Sequence, residues 1–311
     1  MNPFGHTTAP GGPIVVVGSL NIDLVMRTPR LPEPGETLAG HDFRALPGGK
    51  GANQAVACAR MGGRVVMVGQ VGADPYGASL RQGLDRDGIG TALVRQAPAA
   101  ETGVAVILVE DNGQNRILLA PGANGALRPE DLEEAAGTIR DAALLITQLE
   151  VPLPVVARAI AIAHEAGVPV LLNPAPGAAL PDELLAQVDI LVPNETEAGL
   201  LCGMPVGDPA SAFRAGRELQ RRGVGWVLVT LGARGVAVLD EAGERHFPAC
   251  AVQALDTTAA GDTFIGALAS ALVEGQSLDA AVALGQRASA LCVTRAGAQP
   301  SIPFRHELQE A

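Results

Sequence analysis

The strongest constraint on this chain is a rhythm. Short apolar runs rich in β-branched residues, each closed by a glycine or small polar residue, alternate with segments of helical spacing. Ile14 to Val17 is the first such run, and it stops at Gly18-Ser19. A run with no polar face belongs in a parallel sheet covered on both sides, and parallel strands need crossovers of helix length. The pattern returns at Arg64 to Val68, Leu144 to Gln148, Val168 to Leu172, Ile190 to Val192 and Trp226 to Thr230. Helical spacing fills Asn53 to Met61, the stretch after Pro152, the neighbourhood of Pro181 to Gln187, and two long closing segments, Gly261 to Val273 and Leu278 to Cys292. Two stretches break the rhythm. Asn21 to Pro47 is rich in Pro, Gly and polar residues and reads as strands and loops off the main core. Thr102 to Val109 and Arg116 to Leu119 flank Asp111-Asn112-Gly113, a strong hairpin signal. The chain therefore predicts one α/β domain over 1–311: a three-layer sandwich with a central, mostly parallel sheet and a small β-sheet lid formed by about 21–45 and 101–123.

Composition narrows the function. With 48% hydrophobic and 18% charged residues in 311, the chain can bury a large core and disorder is excluded as its main state. A formal net charge of -11 argues against general nucleic-acid or anionic-membrane binding. A phosphate-bearing ligand must then be held by local devices such as helix N-termini and metal ions. No apolar run approaches the roughly 20 residues of a membrane helix. The opening MNPFGHTTAPGGP lacks a basic stretch followed by an apolar one, so 1–12 reads as a flexible leader rather than a signal peptide. Cys58, Cys202, Cys250 and Cys292 lie far apart, and five scattered histidines complete no ligand cluster with them. The expectation is a reduced, cytoplasmic protein without structural zinc.

In an open α/β sheet, ligands sit beyond the carboxyl ends of the strands. Asn21, Asp23, Glu150, Asn173, Asn194 with Glu197, Thr230 and the run around Asp262 all follow predicted strands. In Gly48-Gly49-Lys50-Gly51-Ala52-Asn53-Gln54, glycines allow close backbone approach and the following helix offers free N–H groups, although a plain turn before a helix has the same composition. Lys50 is the sole lysine; the other 21 of the 22 basic residues are arginine. Retaining one compact ammonium there suggests a hydroxyl or phosphate contact that arginine would not reproduce. The string is not a P-loop, since glycine follows Lys50, and no GxGxxG follows the first strand, which removes the main support for a dinucleotide dehydrogenase.

Asp256-Thr257-Thr258-Ala259-Ala260-Gly261-Asp262-Thr263-Phe264 carries the sharpest signal. Small residues leading into a helix leave N–H groups open to an anion, and Asp262 beside them suits a general base. Asp before a helix is equally a common N-cap. Asn194-Glu195-Thr196-Glu197 fits a capping box as well as a holder of the water shell of Mg²⁺. Thr230-Leu231-Gly232-Ala233-Arg234-Gly235 is either a glycine turn between two strands or a backbone cradle for phosphates.

Together these strings resemble the PfkB carbohydrate kinase family from about Ile14 to Phe304. They include Gly18-Ser19-Leu20-Asn21-Ile22-Asp23, the Gly-Gly-Lys-Gly-Ala-Asn-Gln segment, Asn173-Pro174-Ala175-Pro176, Pro193-Asn194-Glu195-Thr196-Glu197-Ala198 and Arg295-Ala296-Gly297-Ala298-Gln299-Pro300-Ser301. The resemblance implies transfer of the ATP γ-phosphate to O5 of D-ribose, serving ribose catabolism and nucleotide synthesis. It implies that Asn21, Asp23, Gly49, Lys50, Asn53 and Glu150 bind the sugar, with Asp262 as base and Ala259, Ala260 and Gly261 as the anion hole. Asn194, Thr230, Gly232, Ala233, Arg234, Gly235, Gly261 and Gln286 would hold the nucleotide, with Glu197 near Mg²⁺. K⁺ would lie among Asp256, Thr258, Val293, Ala296, Ala298 and Ser301. A homodimer through the lid is implied, with no nucleic-acid or membrane partner. Another pentose such as deoxyribose, or a nucleoside, remains an open alternative acceptor.

Overall fold

The computed structural model describes residues 3–4, 11–112 and 114–309. Its strands are β1 (Ile14–Val17), β2 (Asn21–Thr28), β3 (His41–Gly48), β4 (Val65–Gly72), β5 (Val94–Ala97), β6 (Gly103–Glu110) and β7 (Asn115–Ala120). They continue as β8 (Leu144–Gln148), β9 (Val170–Asn173), β10 (Ile190–Leu191), β11 (Trp226–Thr230), β12 (Val236–Asp240) and β13 (Gly243–Phe247). A nine-stranded sheet takes the order β13-β12-β11-β10-β9-β8-β1-β4-β5. Neighbours from β11 through β5 are all parallel, and β12 and β13 close one edge as an antiparallel hairpin.

Burial explains the uniformly apolar strands. Along β1, Ile14 and Val16 face one core cluster while Val15 and Val17 face another, so the strand meets no water. The first cluster is covered by the helices Lys50–Arg60, Ala260–Val273 and Leu278–Cys292, and the second by Leu153–Glu165 and Pro209–Arg221. Helices Lys50–Arg60 and Ala260–Val273 approach so closely at Gly266 that a Cβ there would lie 2.3 Å from that of Ala57. That contact sets how closely the two helices pack, and their first turns carry Lys50, Asn53 and Asp262.

The remaining strands form a separate sheet, ordered β3-β2-β6-β7, from the two segments that broke the sequence rhythm. Its third-strand contribution runs to Gly48, past the expected limit at residue 45. At its base Asn21 pairs with Gly48 and Gly103, and Val104 with Ala120, so all four chain crossings to the main body lie in adjacent rows. Phe43, Ile117, Leu118 and Leu119 on this sheet are exposed. The hairpin turn contains Asp111 and Asn112; Gly113 lies outside the described residues, as do residues 1–2 and 5–10 of the expected leader. Where the leader is described it is anchored: the Phe4 ring lies 6.4 Å from that of Trp226, and Arg64 donates to the Gly11 carbonyl. Among the described residues no helix is long and apolar enough to cross a membrane.

Candidate active site

The carboxyl ends of β1, β8, β9 and β10 and the first turns of two helices converge on Asp262. This residue is buried in the first turn of Ala260–Val273 and accepts from Asn53 Nδ2 at 3.0 Å and Gln54 Nε2 at 2.9 Å. Helix Lys50–Arg60 begins at the lysine itself, three residues earlier than the spacing predicts, which brings Lys50, Asn53 and Gln54 onto its opening turn. Gly49 precedes it with φ 89°, a region that favours glycine.

Glu150, beyond β8, accepts on Oε2 from the Ser19 hydroxyl at 2.6 Å and from the Lys50 N–H at 3.0 Å, leaving Oε1 available. Asn124 receives the Leu20 N–H, returns a bond to the Leu20 carbonyl, and donates to Asn21 Oδ1 at 2.7 Å. With its oxygen occupied, Asn21 presents its own NH₂ to the cavity. Asp23 sits above Gly48, where a Cβ would lie 2.2 Å from its Oδ2. Burial first, and then the charges of Glu150 and Asp262, push the Asp23 pKa from 3.8 up to about 7. Burial pulls Lys50 down, but Asp262, Glu150 and Glu197 outweigh it and hold the ammonium above its ordinary pKa. One ammonium among buried carboxylates, flanked by amides with open valences, is a surface shaped for a polyhydroxylated ligand.

The other side of Asp262 is a groove of about 430 Å³. Its lining includes Thr230, Gly232, Ala233, Gly235, Gly261 and Gln286 from the sequence-based set, and also Val236, Cys250, Val252, Phe264 and Ser289. Gln286 donates to the carbonyls of Phe247 and Pro248, both at 3.0 Å, which ties its helix to the groove wall. Arg234 turns instead to pair with Glu195, and Asn194 caps its own helix. Between groove and polar pocket stands the start of Ala260–Val273. Ala259 takes a left-handed conformation, φ 59°, an uncommon state for a non-glycine residue. The Ala260 N–H bonds the Thr257 carbonyl at 3.2 Å, whereas those of Ala259 and Gly261 have no acceptor among the described residues. A Cβ at Gly261 would meet nothing within 4 Å, so the space before these donors is clear.

Glu197 realises the capping box in full, accepting on Oε2 from the Asn194 N–H at 2.8 Å and on Oε1 from Asn194 Nδ2 at 2.9 Å. Burial raises its pKa despite the Asn194 N–H and the Lys50 charge. Each carboxylate oxygen keeps a second acceptor site, so the residue can still meet the water shell of a phosphate-bound Mg²⁺. Among the described residues there is no cluster of three or more His, Cys, Asp or Glu groups able to cage a metal. The loops expected to hold K⁺ do meet: Asp256 accepts from the Gly297 N–H at 2.8 Å, and the Leu255 N–H bonds Val293. The Val293 carbonyl already accepts from Leu255 and Asp256, and that of Ala298 from the N–H and hydroxyl of Ser301. Asp256 Oδ1 likewise accepts from the Thr258 N–H and hydroxyl, and the Thr258 carbonyl from the Cys292 thiol at 3.7 Å, so hydrogen bonds tie these loops together.

Sequence reasoning overlooked Ser19, Asn124 and Gln148 as site-builders, and the wall around Cys250 and Val252. Their partners lie far away in the chain, and neither residue type nor spacing signals them.

A buried carboxylate at a helix N-terminus, with a polar pocket on one side and a groove on the other, is an arrangement suited to phosphoryl transfer to a hydroxyl, as in a sugar kinase. The chain belongs to the pfkB family of carbohydrate kinases, whose family model matches residues 13–305. It is 43% identical over 297 residues to the ribokinase of Haemophilus influenzae, covering 96% of this chain and 97% of that one. It is also 40% identical over 298 residues to the deoxyribokinase of Salmonella typhi, with 96% and 97% coverage. The structure of Arabidopsis thaliana ribokinase complexed with ribose and ATP superimposes with a TM-score of 0.91 at 36% identity, covering 97% of this chain and 98% of that one. The architecture is the ribokinase-like α/β fold.

Proposed function

We propose that this protein is a ribokinase, transferring the γ-phosphoryl group of ATP to O5 of D-ribose to give D-ribose 5-phosphate and ADP. The observation that carries the reading is Asp262: a carboxylate held by two amides at a helix N-terminus, between a hydroxyl-reading pocket and a nucleotide-sized groove. In this reading Asn21, Asp23, Gly49, Lys50, Asn53 and Glu150 hold the sugar. Asp262 Oδ2 accepts the O5 proton as the new O–P bond forms and the bond to the ADP oxygen breaks. The free N–H groups at the start of Ala260–Val273, with Lys50, hold the charge that grows on the transferring group. Thr230, Gly232, Ala233, Gly235 and Gln286 line the nucleotide's place, while Asn194 and Arg234 shape it from behind. Glu197 would face the water shell of Mg²⁺ bound to the phosphates, which would supply charge neutralisation there, and Asp256 with the neighbouring carbonyls would hold K⁺ beside the loop that leads into the anion hole.

The small sheet acts as a lid that excludes water as a competing acceptor. Its exposed Phe43, Ile117, Leu118 and Leu119 are covered by a second copy in a homodimer. A cytoplasmic location fits four free cysteines and the absence of a spanning helix among the described residues. A second reading, deoxyribose as acceptor, is favoured by the likeness to a deoxyribokinase. Coupled ADP release with ribose, 2-deoxyribose, fructose and adenosine, with and without Mg²⁺ and K⁺, tests both. A preference for ribose enhanced by K⁺ supports the proposal, and a preference for another acceptor rejects the sugar assignment.

A further inference from the structure

Behind Asp262 lies a buried run of side-chain amides, none of which lines the groove. Gln148, at the end of β8, donates through Nε2 to Gln54 Oε1 at 2.6 Å. Gln54 in turn donates through Nε2 to Asp262 Oδ1 at 2.9 Å and to Asn173 Oδ1 at 3.1 Å. Asn173, at the end of β9, donates to the Val192 carbonyl at 2.9 Å. Gln54 and Gln148 are both 0% exposed.

The run has only one workable sense. Turning the Gln54 amide over would set its oxygen against two acceptor oxygens, those of Asp262 and Asn173, and its NH₂ against that of Gln148. The backbone also makes room for it: a Cβ at Gly18 would lie 2.2 Å from Gln148 Oε1. Both N–H donors of the Gln54 amide and one of its two acceptor sites are thus engaged, and its donor side faces the carboxylate.

We infer that Gln54 is a positioning residue for the base, holding Asp262 Oδ1 toward the sheet so that Oδ2 faces the acceptor hydroxyl, and that Gln148 acts through it. This inference rests on the kinase reading above. Because misplacing a reacting group by an ångström can cost about a hundredfold in rate, Gln54→Leu is expected to lower kcat by about 10- to 100-fold while both KM values stay within about threefold. Gln148→Leu, which removes the donor to Gln54 Oε1 and leaves Gln54 held only through Asn173 and Asp262, is expected to lower kcat by up to about tenfold. The double variant is expected to match Gln54→Leu within about twofold, because the second change acts through a link already cut.

The measurement is steady-state kinetics of the wild type and the three variants, using whichever acceptor the wild type prefers. Independent, multiplying losses, a rise in KM in place of the fall in kcat, or a normal Gln54→Leu enzyme would each overturn the positioning role and leave the kinase reading standing. Should Gln54→Leu fail to fold, Gln148→Leu decides alone: kcat reduced at constant KM supports the role, and unchanged kcat rejects it. A wild type that turns over no acceptor overturns the kinase reading and this inference with it.

Discussion

Asp23 is a carboxylate held almost out of water with two other carboxylates acting on it, and its ionisation opposes folding of the empty site. Its pKa moves from 3.8 to about 7, and at about 1.36 kcal/mol per unit the rise of roughly 3 units corresponds to about 4 kcal/mol. The sign is definite. A raised carboxylate pKa means that the folded state retains its proton longer, so the penalty is absent below pH 3.8, grows as pH rises, and is complete above about 7. Asp23→Asn removes the titration while keeping the shape. Urea unfolding of the ligand-free proteins at pH ~5 and ~8 is expected to show the variant gaining about 3 kcal/mol on the wild type across that interval. Sugar hydroxyls donating to Asp23 favour its charged form, so ribose binding near neutrality is expected to release up to about half a proton. Titration calorimetry in buffers of different ionisation enthalpy reads that release directly. Affinity should weaken as pH falls below about 7 in the wild type, and Asp23→Asn should bind poorly at every pH. A stability difference between the two proteins that stays flat from pH ~5 to ~8 would falsify the argument, because the penalty must titrate.

Asp262→Asn is expected to cut turnover by about 10²- to 10⁴-fold with ribose binding retained, read by coupled ADP release and calorimetry; near-normal turnover would remove it as the base. Lys50→Ala is expected to raise the ribose KM by tenfold or more, about 1.4 kcal/mol, with a smaller change in the ATP KM; equal effects on both would reject its place on the sugar side. Gly261→Ala is expected to leave the melting temperature unchanged or slightly raised, since alanine is the better helix residue, and to lower kcat by filling the clear space before the anion-hole donors. A fully active Gly261→Ala enzyme would show that this space does not receive the transferring group.

Much of the fold was legible because strands buried on both faces carry apolar runs, as β1 does throughout and β8 and β11 do over 144–146 and 226–229. β5 was not, because Val94-Arg95-Gln96-Ala97 is an edge strand with two exposed polar residues and no apolar run. The helix Pro75–Arg86 and the hairpin β12–β13 were likewise missed or only implied, being peripheral elements with broad wet faces. In the site, residues carried by continuous strings, Lys50, Asn53 and Asp262, were legible because local backbone chemistry accompanies them. Asn124 and Gln148 were not: their bonds to Leu20 and Gln54 span 104 and 94 residues, and only the folded sheet brings them together. Arg234 differs again. It lies in a legible turn, yet its charge is turned to Glu195, a choice of rotamer that no local pattern encodes.

The four adjacent crossings at the base of the small sheet give it the mechanics of a paddle. Asn21 stands at the pivot row and Asp23 two residues outward, while the eight-residue strand β2 extends to Thr28, roughly 24 Å along the blade. A rotation about that row sweeps the tip widely and leaves the groups nearest the pivot almost still. In the proposed reading, recognition of the acceptor is thereby insulated from the blade's amplitude, and displacements at the tip reach the pivot only with a long lever's reduction in travel.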